Sequence, residues 1–225
     1  MQTLRWGSQI MKENLLKGLK WFYQSFIWLA VLLLAIDIIT KQVIMASGVK
    51  APGLIADWGF VHISYVLNPN AAFGFGASDP NVSRTIYLIV ASLISAGLIF
   101  YLIWKRKETK LIVRAALVMV VTGAIGNMID RVFYGPLQGE SGLFTGMVVD
   151  WIDFYWFWGY NFNIADSCIV VAAFMLIVYV IVCEVKDYRE RNKSQVKPAN
   201  APKKVLSKSE QEKLEAEKAQ DEESK

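Results

Sequence analysis

The chain has 225 residues, 54% of them hydrophobic, and a net charge of +4, with a mean hydropathy of +0.33. Its apolar runs are longer than a soluble core needs and approach the ~20 residues that cross a bilayer as a helix. The modest positive charge flanks those runs, as it does around membrane spans, and gives no reason to expect nucleic acid as a partner.

In chain order, residues 1–20 carry Arg5, Lys12, Lys17 and Lys20 and form a basic segment before the first apolar run. That run, 21–45, is too long for a leader h-region and no small-residue cleavage site follows it, so it is expected to be a retained span. Asp37 and Lys41 interrupt its last third. Further spans are expected at about 86–104, 111–129 and 164–183, giving one membrane domain over 21–183. Cys168 and Cys183 both fall in the last apolar run and read as small hydrophobes, not as a disulfide or a metal pair.

Lys and Arg concentrate in residues 1–20, in the Lys105–Lys110 loop and after residue 184, whereas the connections 46–85 and 130–163 hold only Lys50, Arg84 and Arg131. The positive-inside bias therefore puts both termini in the cytoplasm and the two long connections outside. In the first connection, Phe60 to Val66 alternate in polarity and predict a strand or short hairpin. The second is rich in aromatics between Trp151 and Tyr160, which predicts a loop at headgroup level. Residues 184–225 are half charged and nearly free of aromatics, so they are expected to be a solvated cytoplasmic tail, disordered or part helical. The expected fold class is an all-α membrane protein of four transmembrane helices with a small extracytoplasmic β-containing element.

Ionisable residues at membrane depth are costly and mark function. Asp37 and Lys41 lie four apart on one helical face; Asn127, Asp130 and Arg131 occupy i, i+3 and i+4; Asn163 and Asp166 lie three apart, just after Asp150. The topology brings all of them to the outward ends of three helices. His62 is the sole histidine and there is no H-E-x-x-H, which removes that class of zinc protease and weakens any Ser-His pair. No metal or cofactor is expected. Two neighbouring carboxyls can hydrolyse a bond by holding one proton between them, one acting as base and the other as acid. Asp130 and Asp150 both compete for such a role beside Asp166. Blander roles remain open for individual residues: Asp166 could cap its helix, Asp37 and Lys41 could form a structural ion pair, Arg131 could snorkel and Asn68 could hold a turn. At this level a proton-coupled transporter and a lipid-binding scaffold also remain open.

Asp37-Ile38-Ile39-Thr40-Lys41 matches D-x-x-S/T-K, and Asn68-Pro69-Asn70-Ala71-Ala72-Phe73-Gly74 resembles N-x-G-A-A-F-G. Gly123 to Arg131 resembles G-A-x-G-N-x-x-D-R, Val148 to Phe154 matches V-V-D-x-I-D-F, and Phe162 to Ser167 matches F-N-x-A-D-S/T. In this order the blocks resemble the lipoprotein signal peptidase (signal peptidase II) family. The resemblance implies an aspartyl endopeptidase of the bacterial inner membrane, acting as a monomer on prolipoproteins before a diacylglyceryl-modified cysteine, in contact with membrane lipid. It implies Asp150 and Asp166 as the catalytic dyad, with Asp37, Lys41, Asn68, Asn127, Asp130, Arg131 and Asn163 as supporting residues. Asn70 departs from the family's glycine, and the glycine-rich stretch Gly135–Gly146 is longer than usual.

Overall fold

A computed structural model of the chain describes residues 2–70, 79–156 and 159–195. Ala71 to Gly74 of the second motif, Phe157, Trp158 and the tail from 196 onward lie outside the described residues. The chain divides into two compact units, Met1–Val180 and Ile181–Lys225; of the second, residues 181–195 are described and are helical.

The helices are α1 (Gln2–Ser25), α2 (Ile27–Met45), α3 (Pro80–Trp104), α4 (Leu111–Phe133) and α5 (Ile164–Gln195). Four, all but α1, are long and apolar enough to cross a membrane. Their surfaces are inverted relative to a soluble bundle. Val31, Val43, Leu93, Ile103 and Phe174 face outward, while Asp37, Lys41 and Asp130 are buried. A hydrocarbon surround makes that arrangement favourable; water would not.

The apolar stretch expected as one span over 21–45 is broken. Phe26 has φ 58 in the left-handed region. Beside it the Ser25 hydroxyl donates to Phe22 O at 2.7 Å and accepts from Ile27 N at 3.3 Å. A serine side chain thus takes over backbone partners that a continuous helix would use. The span begins at Ile27, and α1 is a separate helix with Lys12, Lys17 and Lys20 among exposed Met11, Leu15, Leu16 and Leu19.

At the other end of α2 begins a four-stranded antiparallel sheet in the order β1-β2-β3-β4 (Gly53–Asp57, His62–Asn68, Val148–Asp153, Asn161–Phe162). The hairpin expected around 60–66 is present as β1 and β2. Of the aromatics expected in a loop, Trp151 lies instead in a strand, because Val148–Asp153 is the third strand of this sheet; Phe154, Tyr155, Trp156 and Tyr160 lie in the loop that follows it. Alternation explains how that strand serves two purposes. Val149 joins Ile44, Ile63, Tyr65 and Tyr134 in the apolar core under the sheet, with Trp151 packed against it. Asp150 points to the opposite face. Some aromatics of the connection fasten the hairpin: the Tyr155 ring stacks on His62 at 3.8 Å and its hydroxyl donates to Gly59 O at 2.9 Å.

The stretch Gly135–Gly146 folds back on the end of α4. The Gln138 amide donates to Met147 O and accepts from Met147 N, both at 2.7 Å, and Phe144 N donates to Val132 O at 2.8 Å. Its short path leads directly into β3.

Helices α4 and α5 touch through small residues. A Cβ at Gly123 would overlap the carbonyl oxygen of Ala165, and one at Gly126 would lie 2.8 Å from Asp37 Oδ2 and 3.0 Å from Ala165 Cβ. Nothing lies within 4 Å of a Cβ at Gly97 on α3. Gly123→Ala is therefore expected to destabilise the protein in detergent by about 1–3 kcal/mol through overpacking, whereas Gly97→Ala should leave the melting temperature unchanged or slightly raised; thermal unfolding of the two variants measures the contrast.

Candidate active site

Three helix ends and one strand meet at the end of the bundle that carries the sheet. Lys41 stands at the centre with 0% of its surface exposed. Its ammonium lies 2.8 Å from Asp37 Oδ2, 2.8 Å from Asp130 Oδ2 and 3.2 Å from Asn127 Oδ1. An ammonium has three protons to give, and three acceptors take them. Lys41 has none left for a substrate.

The two carboxyls that Lys41 holds are themselves anchors. Asp37 Oδ1 accepts from Ala165 N at 2.9 Å, and Asp130 Oδ2 accepts from Val149 N at 3.1 Å. Each of these backbone amides immediately precedes one of the remaining acids, Asp166 and Asp150. A single buried cation thus fixes, through two carboxylates, the backbone from which both acids project.

Asparagines connect the acids themselves. Asn163 caps α5: its Oδ1 accepts from Asp166 N at 2.9 Å, and Asp166 Oδ2 accepts from Asn163 N at 3.3 Å, a reciprocal box. The same residue's Nδ2 donates to Asp150 Oδ1 at 2.8 Å. Asn163 therefore donates to both acids. Asn127 adds a bond from Nδ2 to Asp166 Oδ1 at 2.7 Å and accepts from Asn163 Nδ2 at 3.0 Å. Asn68 reaches Asp150 across the sheet. It pairs with Val148, two residues away on the same face, and its Nδ2 donates to Asp150 Oδ2 at 2.9 Å.

Asp150 is only 2% exposed. Burial, and after it the charge of Asp166, push its carboxyl up to about 7, against the lowering effect of Asn68, Lys41 and Asn163.

Arg131 completes the polar wall. Its guanidinium donates to Asn127 O at 3.1 Å and Asn70 O at 2.8 Å and lies 5.6 Å from the Tyr87 ring centroid. No carboxylate lies within 4 Å of it among the described residues. Asn68, Arg131, Asp150 and Asp166 face a cavity of about 530 Å³ whose other walls, between α3 and α4, are mainly apolar, as at Val90 and Ile94. A cavity with acids at one end and hydrocarbon along the rest suits an amphiphile.

The site residues expected from the sequence all lie in this assembly: Asp37, Lys41 and Asp130 as anchors, Asn163 fully buried between the two acids it donates to, and the others along the cavity wall. Tyr87 and the α3 wall carry no signal in the sequence. They lie in an apolar helix whose hydropathy gives the same signal on every face.

Removing the cation leaves two neighbouring carboxyls buried without compensation, a loss of about 3–5 kcal/mol for a broken buried pair. Lys41→Met should therefore unfold at markedly lower temperature than the parent. Asp130→Asn, which leaves Lys41 balanced by Asp37, should be affected less. Melting curves of both in the same detergent give the order.

The family model described as signal peptidase (SPase) II matches residues 29–182. The lipoprotein signal peptidase of Syntrophus aciditrophicus (strain SB) is 33% identical over 159 residues, 69% of this chain and 91% of that protein. The lipoprotein signal peptidase of Desulfitobacterium hafniense (strain DCB-2) is 34% identical over 166 residues, 73% of this chain and 97% of that protein. A solved structure described as a bacterial membrane enzyme, determined in meso at 2.3 Å, superposes with a TM-score of 0.55 at 25% identity, covering 78% of this chain and 93% of that one.

Proposed function

Because the chain belongs to the signal peptidase II family, and is thus a protease, we propose that it cleaves signal peptides from prolipoproteins by an aspartyl mechanism run by Asp150 and Asp166. The observation that carries the mechanism is the pair of acids on one cavity wall, joined by Asn163 and, among the described residues, with no lysine or arginine nitrogen within 4 Å of either.

In the resting pair Asp150 holds the proton, in keeping with a carboxyl raised to about 7. Asp166, in the first turn of α5, lies where helix N–H groups favour an anion. Asp166 takes a proton from a water molecule, whose oxygen attacks the scissile carbonyl carbon while Asp150 gives its proton to the carbonyl oxygen. On collapse of the tetrahedral intermediate, Asp166 returns its proton to the leaving amine nitrogen. Asp150 recovers one from the hydroxyl that becomes the new carbonyl. The remaining site residues act by position: Asn68, Asn127 and Asn163 orient the acids, and Lys41 with Asp37 and Asp130 anchors their backbone. The apolar part of the cavity suits the acyl chains of a diacylglyceryl-cysteine, with the peptide bond before it at the acids.

The basic residues set the direction. Lys20, near the end of α1, and the 105–110 loop between α3 and α4 lie at helix ends opposite to the aspartates. We place those ends in the cytoplasm and the site at the outward boundary of a bacterial inner membrane. The protein then acts as a monomer on lipid-anchored substrates that enter sideways from the bilayer.

Asp150→Asn and Asp166→Asn are each expected to lower kcat/KM for a lipidated prolipoprotein by about 10³-fold or more while the protein stays folded in detergent; full turnover by either variant would remove that residue from the dyad. The pH profile follows from the shared proton. As pH rises through about 7, the pair loses the proton that polarises the carbonyl, so kcat should fall on the alkaline side. A metal chelator should leave the rate unchanged. A rate that climbs steadily to pH 9 would contradict the scheme.

A further inference from the structure

A second concavity lies toward the other end of the bundle and shares no residue with the cavity of the two acids. It is an open groove of about 980 Å³ between α2 and α3, with α4 as its floor. Ala30 and Leu34 form one wall, Ile99 and Ile103 the other, and Val118 and Ile125 the floor. Its mouth is basic. Arg106, Lys107 and Arg114 line it, with Trp21 from α1 beside them at half exposure.

Charge is unbalanced at this mouth. Five cations lie along the chain between Lys105 and Arg114 against one carboxylate, Glu108, which Lys105 engages at 2.7 Å, and among the described residues no carboxylate lies within 4 Å of Arg106, Lys107 or Arg114. Among the described residues Arg114 meets only backbone carbonyls. It donates to Gln24 O at 2.9 Å and Thr109 O at 3.2 Å, and also to Arg106 O. These bonds gather the end of α1 and the 105–110 loop around the mouth and leave the guanidinium charge uncompensated.

Depth fits a bilayer component. From Arg114 to Ile125, α4 advances about 17 Å, close to one leaflet of a hydrocarbon core ~30 Å thick. A groove with apolar walls one leaflet deep, a cationic mouth and a tryptophan at that level has the pattern of an anionic lipid site between helices. The basic n-region of a signal peptide would meet like charge at this mouth. We propose that the groove between α2 and α3 holds one anionic glycerophospholipid, its acyl chains on α4 and its phosphate at Arg106, Lys107 and Arg114.

The test is native mass spectrometry of the full-length protein released from detergent, after equilibration with phosphatidylglycerol or with phosphatidylcholine of the same chains. The protein is expected to retain one phosphatidylglycerol in preference to phosphatidylcholine. Arg106→Gln/Lys107→Gln, at two exposed positions, should weaken phosphatidylglycerol retention about thirtyfold, as two lost basic contacts imply. Ala30→Trp, which fills the groove and keeps the mouth, should release the lipid as well. Glycerol 3-phosphate alone should not compete. Equal retention of the two lipids by the parent protein, undiminished retention by the double variant, displacement by glycerol 3-phosphate, or displacement by a basic apolar helical peptide would each overturn the assignment.

Discussion

One buried ammonium organises the outward end of this protein. Lys41 is surrounded by Asp37, Asp130 and Asn127 at 2.8 to 3.2 Å, and through them it binds α2 to α4, to the start of α5 and to β3. In a hydrocarbon surround such a charge is tolerated only with its donors saturated. That requirement brings the elements together as surely as apolar packing does elsewhere. The result is symmetrical in effect: each anchoring carboxylate grips the amide just ahead of one free acid. Four carboxyl groups near one lysine would be poor at acid–base work; here two are neutralised as anchors, and the two acids on the cavity wall are left to titrate against each other.

Much of this is legible in the sequence. Hydropathy finds the four apolar helices, because a span must be apolar over ~20 residues whatever it packs against. Helical spacing puts Asp37 with Lys41 and Asn127 with Arg131, and charge bias brings them to one end. Division of labour among the acids is not legible from pattern alone. Asp130 and Asp150 are both candidates by pattern, and only the resemblance to a known family ranks Asp150 first. Geometry adds a physical reason: Asp130 is held by Lys41 at 2.8 Å and Asp150 by two neutral amides.

Other features stayed hidden for identifiable causes. The strand Val148–Asp153 leads into aromatics whose interfacial preference masks its alternation, so the sequence alone does not mark it as a strand. The break at Phe26 interrupts an apolar run without glycine or proline; its signal is one serine competing for backbone partners. The cavity wall on α3 has no sequence signature, since a lipid-facing and a cavity-facing isoleucine are the same letter. Neither is the groove floored by α4 visible in the sequence: its basic mouth reads there only as a topology signal.

Asn163 carries a constraint that reaches beyond geometry. It must end a helix, give N–H to one acid and, through its own backbone, hold the other. Aspartate would cap as well but offers a third repelling oxygen; serine would cap but has no amide arm; glutamine has the arm, yet is too long to close on the first turn. Among the twenty coded side chains only asparagine is short, neutral and two-handed, so one residue type alone serves all three bonds.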